Sequence, residues 1–335
     1  MESPLSSFPD VDEQLSEDIL DCLSAVEQRL GDAVSVSESL MNWTARHLLE
    51  AGGKRLRPLM VLLAGAVGDM RREEVLDAAC LVELTHLASL YHDDVMDSAP
   101  TRRGTTSAHE VWGNSVAILT GDFLFARASG LSSRLGPDVV ALHARTFERL
   151  CMGQLHETVG PGPEDDPFDH YLSVLSDKTA SLLSAAGELG AITSGAGSEV
   201  ASVMRAYGEK AGVAFQLADD VLDLRSDART SGKNPGTDLR EGIPTMPTLL
   251  VRRRHAERPD EHTHEIVSRL DGDLTEDADL AALVDLLRRD PAVGDTLEMA
   301  HSLEREAIEI LEHLPDVPAR SALIDVTRGL VDRDV

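Results

Sequence analysis

Most of the chain shows the apolar spacing of α-helices. Apolar residues recur at intervals of three and four from Val11 to Leu30 and from Ser39 to Ala51, where two glycines follow. This spacing places apolar side chains on one helix face, and the glycines are a typical stop signal. A third segment, Glu73–Asp97, contains the run "CLVELTHLASLY". Because this run is apolar on nearly all sides, it predicts a buried central helix.

The remaining pattern also indicates helices, and no alternating strand pattern of useful length is present. The other predicted helices are Pro58–Gly68, Ser115–Leu135, Val139–Val159, Phe168–Ser194, Val200–Asp227, Thr245–Arg254, His264–Arg269, Asp277–Arg288 and Ala292–Leu314. Two loops are predicted, at Gly160–Pro167 and at Asp227–Pro247; the second has the length of a functional lid. Since no linker or fixed repeat is found, the sequence predicts one all-α domain over residues 1–335, with residues 1–10 flexible.

Composition narrows the classes of function. The 335 residues are 42% hydrophobic, which suits a globular core, and carry a net charge of -28. Such a charge disfavours nucleic-acid binding, so a phosphate ligand would need a local basic pocket or metal ions. Cys22, Cys80 and Cys151 are widely separated and suggest neither a disulfide framework nor a zinc site. With no signal-peptide pattern and no apolar run of membrane-spanning length, we expect a cytoplasmic protein.

An acidic motif, DDxxD, occurs twice within apolar helical segments. Its members are Asp93, Asp94 and Asp97 in the first copy, and Asp219, Asp220 and Asp223 in the second. In a helix these positions span about 100° of arc, so each copy presents its carboxylates to one side. One such triplet is common on a solvated helix face, but two copies in apolar helices are not. Carboxylates without His or Cys companions suit Mg²⁺, which usually takes one or two carboxylates plus substrate phosphates.

Basic residues occur on both sides of the first acidic motif. "GGKRLRP" contains Lys54, Arg55 and Arg57, and "RRG" supplies Arg102 and Arg103. Lys54 and Arg57 are three residues apart and are expected to share a helix face. Because arginine forks match phosphate geometry, these groups predict a diphosphate site next to the metal-binding carboxylates.

The order and spacing of these motifs resemble one family. "GGKRLRP", "HLASLYHDDVMD", "RRG", "DKTASL", "FQLADDVLD" and "GKNPGTD" follow one another as in the trans-isoprenyl diphosphate synthases, also called polyprenyl synthetases. The match covers roughly residues 40–250, and both acidic motifs are complete. The resemblance implies the isoprenoid synthase fold, an antiparallel helix bundle around a deep central cavity. It also implies a head-to-tail 1'-4 condensation of isopentenyl diphosphate with an allylic diphosphate (geranyl, farnesyl or geranylgeranyl).

The resemblance assigns roles residue by residue. The first acidic motif would bind Mg²⁺ that clamps the allylic diphosphate, and the second would bind further Mg²⁺ from the opposite wall, three ions in all with substrate bound. Residues expected to hold isopentenyl diphosphate are Lys54, Arg57, His86 and Arg103. Residues expected to reach the allylic diphosphate are Arg102, Lys178 and Lys233. Thr179 and Gln216 would line the reacting carbons. Asp122 and Asp238 fit either a structural or a supporting role, and a homodimer with transient membrane contact during product release is expected.

Product length is predicted from two small residues. Ala88 and Ser89 precede Asp93 by about one helical turn. Short-chain members of the family carry bulky aromatics there, so an open tunnel and a C30–C50 product are expected here, with a C20 geranylgeranyl product as the alternative. Close helix packing would also explain small residues, and Phe123 or Phe125 could close the tunnel lower down.

Three other classes of protein remain as alternatives. A non-catalytic subunit of a hetero-oligomeric synthase would be expected to lose aspartates from one motif. A terpene cyclase of the same fold would lack the second DDxxD and the "GGKRLRP" segment. An acidic calcium-binding or scaffold protein would not place both triplets in apolar helices.

Overall fold

The computed structural model describes residues 12–225 and 235–332, which form two compact units. The first unit contains residues 12–149, 181–208 and 310–326, and the second contains residues 150–180, 209–225, 235–309 and 327–332. The prediction of a single domain stays a prediction, and both residues 1–10 and Lys233 lie outside the described residues.

The elements that begin before residue 149 are helices and one small hairpin. They are α1 (Glu13–Val34), α2 (Ser39–Glu50), α3 (Leu56–Gly65), α4 (Glu73–Met96), β1 (Thr101–Arg102), β2 (Thr105–Thr106), α5 (Ala108–Trp112), α6 (Asn114–Leu135) and α7 (Pro137–Val159). The hairpin pairs β1 with β2 antiparallel, with Arg102 opposite Thr105.

Later elements continue the helical pattern. They are α8 (Pro167–Leu175), a π-helical turn (Ser176–Ala180), α9 (Ser181–Ser194), α10 (Ser198–Arg225), α11 (Thr237–Glu241), α12 (Met246–Glu257), α13 (Glu261–Leu270), α14 (Asp277–Arg288), α15 (Pro291–Leu311) and α16 (Pro318–Val331). None of the helices in the described ranges has the length and apolar character needed to cross a bilayer.

Helix α4 is the buried central helix that its apolar run predicts. It packs against α1, α3, α6 and α9 within the first unit. Tyr91, near its C-terminal end, is fully buried. The Tyr91 hydroxyl donates to the carbonyl of Thr44 and accepts from the backbone N–H of Leu48 at 3.2 Å. These bonds join α4 to α2 one turn from the acidic motif.

The second unit has an apolar core of its own. The end of α10 packs with α12, α13, α14 and the start of α15. Val251, Ile266 and Leu283 are fully buried there. This packing fixes the α10 segment that carries the second acidic motif.

The all-α prediction is confirmed, and most predicted helices end within a few residues of the observed ones. Several local predictions differ from the structure. The predicted helix Phe168–Ser194 is interrupted by the π turn, and the predicted loop Asp227–Pro247 contains the short helix α11. The hairpin at residues 101–106 was not predicted, because its strands are only two residues long. Helix α16 was also missed, although its apolar residues have helical spacing.

Candidate active site

The first acidic motif ends α4 and has one buried and two more accessible carboxylates. Asp93 is half-buried and Asp97, the C-cap residue, is exposed. Asp94 is fully buried. Its Oδ1 accepts a hydrogen bond from Nε of Arg102 at 2.6 Å. Burial raises the pKa of Asp94, and the positive charge of Arg102 opposes that rise.

The hairpin positions the two arginines of "RRG" differently. Arg103 and Gly104 form its turn, with φ of 53° and 74°. Positive φ at both central residues is the condition for a type I' turn, whose twist matches paired strands. The Arg103 side chain turns inward and donates to the carbonyls of Leu48 (3.0 Å) and Gly52. Arg102, in β1, instead pairs with the first acidic motif.

A buried glutamate on α4 balances the arginines of the first unit. The Glu83 side chain is 2% exposed, and its Oε1 accepts from Nη1 of Arg55 at 2.9 Å. Nη2 of Arg103 lies 3.7 Å from the same oxygen. Arg55 also pairs with Glu27. Arg55 is therefore enclosed by protein partners and holds the segment between α2 and α3 in place.

Of the residues expected to hold isopentenyl diphosphate, Arg57, His86 and Arg103 lie near one another. Burial, together with the nearby charge of Arg103, lowers the pKa of Arg57 to about 10, while Glu83 opposes the change. Burial and the charges of Arg57, Arg103 and other arginines lower the pKa of His86 well below its usual range. The neighbouring guanidiniums and burial therefore favour the neutral imidazole at His86. The expectation that Lys54 shares a helix face with Arg57 is wrong, because α3 begins only at Leu56.

Ala88 and Ser89 occupy different environments on α4. Ala88 is fully buried against α6, where a Cβ added at Gly121 would lie 3.1 Å from the Ala88 carbonyl oxygen. Ser89 is half-buried and its hydroxyl donates to the carbonyl of His86 at 2.9 Å. One turn earlier, the Thr85 hydroxyl lies 3.0 Å from Nε2 of His143. The arrangement thus supports close packing at Ala88 and an accessible side chain at Ser89.

The aromatic residue that could close a tunnel has partners of its own. The Phe125 ring lies 4.2 Å from the ring of Phe147 and 5.7 Å from that of His92, centroid to centroid. Phe123 instead packs against the guanidinium of Arg127 at 4.8 Å. Asp122 is exposed in mid-α6, with Oδ1 3.4 Å from Nε2 of His92. It is therefore not a helix cap.

The second acidic motif, on α10, also has one buried and two more accessible carboxylates. Asp220 is buried, and its Oδ2 accepts from the hydroxyl of Tyr171 at 2.6 Å and from the backbone N–H of Met246 at 2.9 Å. Burial raises the pKa of Asp220 to about 8, although these hydrogen bonds oppose the rise. Asp219 and Asp223 are half-buried.

The start of α11 is attached to Asp223. Its carboxylate accepts from the backbone N–H groups of Thr237 (3.2 Å) and Asp238 (3.4 Å). Asp238 also raises the pKa of Asp220 through its charge. Asp238 therefore lies beside the acidic motif rather than at a remote helix end.

Lys178 and Thr179 lie in the π-helical turn. The Thr179 hydroxyl donates to Oε1 of Gln216 at 3.3 Å, and the Lys178 amine pairs with Glu157. The turn is closely approached from two helices. A Cβ added at Gly153 would lie 2.6 Å from the Lys178 backbone nitrogen, and one at Gly212 would lie 2.5 Å from Cα of Ala180. Single π turns inside helices frequently mark functional sites.

Sequence reasoning missed two residues of these clusters, Glu83 and Tyr171. Glu83 lies within an apolar run, where a lone acidic residue gives a signal only through the expectation that buried charges are paired. Tyr171 lies in "FDHYLSVL", which shows ordinary amphipathic spacing. Across residues 12–225 and 235–332, no three His, Cys, Asp or Glu side chains converge into a ready-made metal cage.

Comparisons with known proteins agree with the motif order. The family model described as polyprenyl synthetase matches residues 38–287. The nonaprenyl diphosphate synthase of Mycobacterium tuberculosis is 41% identical over 93% of this chain and 92% of its own length.

Solved structures are similar over nearly the whole chain. The polyprenyl synthase of Caulobacter crescentus, complexed with calcium and isoprenyl diphosphate, has a TM-score of 0.86 at 32% identity, covering 96% of this chain and 98% of its own. The geranylgeranyl pyrophosphate synthase of Corynebacterium glutamicum, also complexed with calcium and isoprenyl diphosphate, has a TM-score of 0.85 at 40% identity, covering 97% and 98%. The all-α architecture is therefore the isoprenoid synthase fold, and the chain belongs to the polyprenyl synthetase family.

Proposed function

We propose that this chain is a Mg²⁺-dependent prenyltransferase that condenses isopentenyl diphosphate head-to-tail with an allylic diphosphate. The product is an all-trans polyprenyl diphosphate of C30–C50. The observation that carries the proposal is the shared design of the two acidic motifs, in which a buried, hydrogen-bonded middle aspartate is flanked by more accessible ones. Family membership and the similarity to a nonaprenyl diphosphate synthase support it.

The donor set of the acidic motifs fits Mg²⁺. Asp93 and Asp97 on α4, and Asp219 and Asp223 on α10, are the more accessible carboxylates and would hold the ions. Asp94 and Asp220 already have protein partners and would keep the helix ends in place. Mg²⁺ usually takes one or two protein carboxylates and completes its shell with water and phosphate oxygens. When bound, Mg²⁺ would neutralise the charge of the leaving diphosphate.

The basic residues would bind the two diphosphates. Lys54, Arg57 and Arg103 would hold isopentenyl diphosphate, with His86 as a neutral hydrogen-bonding partner. Arg102 and Lys178 would reach the allylic diphosphate, and the same role for Lys233 concerns a residue outside the described ranges. Preorganised cationic groups of this kind stabilise charge that develops on a leaving group.

The π turn would supply dipoles rather than charge. The hydrogen bond from Thr179 to Gln216 orients an amide and a hydroxyl side by side. Their oxygens can stabilise positive charge on the allylic carbons without acting as a strong nucleophile. No protein general base is required if the departing diphosphate takes the proton.

Chain length is the finer part of the proposal. The small, half-buried Ser89 favours a long product, as does the nonaprenyl relative, whereas the fully buried Ala88 serves close packing against α6. A C20 product is the second candidate, because the similar structure from Corynebacterium glutamicum is a geranylgeranyl pyrophosphate synthase. Exchange of Ala88 or Ser89 for Phe should shorten the product. An unchanged length in both variants would show that neither residue lines the growing chain.

The proposed oligomeric state is a homodimer, and the proposed location is the cytoplasm. The enzyme would contact the membrane transiently during product release. Two helices that contact each other, α2 and α6, carry the exposed apolar side chains Trp43 (64%) and Leu119 (58%), and this surface is the proposed dimer contact. Cys22, Cys80 and Cys151 are free thiols, as a reducing compartment favours. Light scattering after gel filtration measures the mass, and a monomer at micromolar concentration would contradict the dimer.

One assay tests the proposed activity. Pure protein, Mg²⁺, labelled isopentenyl diphosphate and farnesyl diphosphate should yield longer extractable prenyl chains. A non-catalytic subunit would yield none alone, and a terpene cyclase would release a hydrocarbon without consuming isopentenyl diphosphate. Either result would refute the proposal.

A further inference from the structure

Three buried polar side chains behind the first acidic motif have no hydrogen-bond partner in the protein. They are Asp94 through Oδ2, Ser107 through its hydroxyl and His109 through both ring nitrogens. Asp94 and Ser107 are fully buried, and His109 is 9% exposed. Because native proteins satisfy nearly all buried polar groups, these four atoms on three side chains point to a shared partner.

The backbone brings the three residues to one place. After α4, the N–H of Ala99 donates to the carbonyl of Asp94 at 3.1 Å, and the N–H of Ser107 donates to the carbonyl of Pro100 at 3.0 Å. The chain thus folds back and sets the start of α5 beside the end of α4. His109 follows Ser107 by two residues on α5, which packs against α4.

The side chains of Ser107 and His109 form no hydrogen bond with α5, the helix on which they lie. Ser107 is the N-cap residue of α5, where a serine hydroxyl commonly accepts a backbone N–H. Here the hydroxyl makes no cap bond. Glu110 Oε1 lies 3.3 Å from Nε2 of His109 without forming a hydrogen bond. Both side chains are therefore available to a group placed between them and Asp94.

We propose that one buried water molecule joins Asp94 Oδ2, Ser107 and His109, and that this network aims Arg102 at the allylic diphosphate. Buried waters typically make about three hydrogen bonds, and a carboxylate, a hydroxyl and an imidazole provide them. Ser107 and His109 are then positioning residues. They act through Asp94 and do not touch substrate.

Arg102 is the part of the network that would meet the substrate, so the inference rests on the proposed function. It contacts Asp94 through Nε alone, and its two Nη groups make no hydrogen bond or ion pair with any residue in the described ranges. If Asp94 Oδ2 loses its inner partners, the carboxylate can rotate and carry the guanidinium with it. Binding of the allylic diphosphate would then weaken, whereas isopentenyl diphosphate would not be affected.

The test compares KM values for the two substrates. His109→Leu and the milder Ser107→Ala should each raise the KM for farnesyl diphosphate roughly tenfold, the usual effect of losing one oriented charged contact. The KM for isopentenyl diphosphate and kcat should stay near those of the unchanged protein, and His109→Asn should restore much of the loss. His47→Leu is the matched control, since His47 contacts the same hairpin at the Thr106 carbonyl (2.7 Å). It should alter neither KM.

A double variant separates positioning from general damage to the fold. In an Arg102→Ala protein, His109→Leu should cause no further rise in the farnesyl diphosphate KM. An undiminished effect in that background, or equal effects on both substrates, would overturn the inference. A crystal structure in which His109 forms a hydrogen bond directly with Asp94 would refute the proposed bridging water molecule. If the unchanged protein makes no prenyl product at all, the proposed function itself is wrong.

Discussion

Removal of the buried carboxylate at Glu83 should destabilise the first unit strongly. Its side chain is 2% exposed and accepts from Arg55, whose own side chain is 4% exposed. Loss of one partner of a buried ion pair typically costs about 3–5 kcal/mol, because the other charge stays buried without compensation. Glu83→Ala should therefore lower the free energy of unfolding by that amount and the urea midpoint by roughly 1 to 1.5 M.

The matched control is Glu27, the second carboxylate on Arg55. The Glu27 side chain is 29% exposed, so Glu27→Ala should cost only about 1 kcal/mol. Glu83→Gln should fall between the two, because its amide oxygen can still accept from Arg55. Far-UV circular dichroism during urea titration measures all three variants. If Glu83→Ala cost no more than Glu27→Ala, Glu83 would not be the main counter-charge of these arginines.

The remaining predictions concern catalysis. EDTA should abolish prenyl transfer, and added Mg²⁺ should restore it. Asp93→Ala and Asp219→Ala should each lower kcat by orders of magnitude while the fold stays intact. Near-normal turnover in either variant would contradict metal binding by that aspartate. Arg103→Ala should raise mainly the KM for isopentenyl diphosphate, and Arg102→Ala should raise mainly the KM for the allylic diphosphate. Initial rates at varied concentrations of each substrate measure both values. Identical changes in the two variants would contradict separate roles for the two arginines. Ser89→Phe should shorten the longest product seen by chromatography after dephosphorylation, and a wild-type product that stops at C15 would exclude an open path past Ser89.

Helix positions followed from periodicity because each helix buries one face. The predicted segment Asp277–Arg288 agrees with α14 at both ends, and Glu73–Asp97 agrees with α4 to within one residue. The buried positions of α14 recur at the expected three- and four-residue intervals, whereas α4 is buried on nearly all sides, as its apolar run predicts. The same signal was present in α16, where Ala319, Leu323 and Val326 are buried.

The π turn could not be read from the sequence. "SDKTASLLS" has unbroken helical character, and no residue in it disfavours the α conformation strongly. The structure shows that Gly153 and Gly212 let two other helices approach this turn within contact of its backbone. These glycines are 27 and 32 residues from Ala180, counted along the printed sequence. A local pattern holds no information about such distant neighbours.

The expectation that all three carboxylates of each DDxxD motif face one side is only partly met, because Asp94 and Asp220 are buried. Successive helix positions are about 100° apart, so when the first and last aspartates share an accessible face, the middle one turns toward the protein. A carboxylate turned inward requires a partner, and each motif has one. The identity of that partner was not predictable, since Arg102 follows Asp94 by eight residues and Tyr171 precedes Asp220 by 49. The repeated motif therefore specifies which carboxylates are accessible on each helix, whereas unrelated neighbours specify how each motif is held.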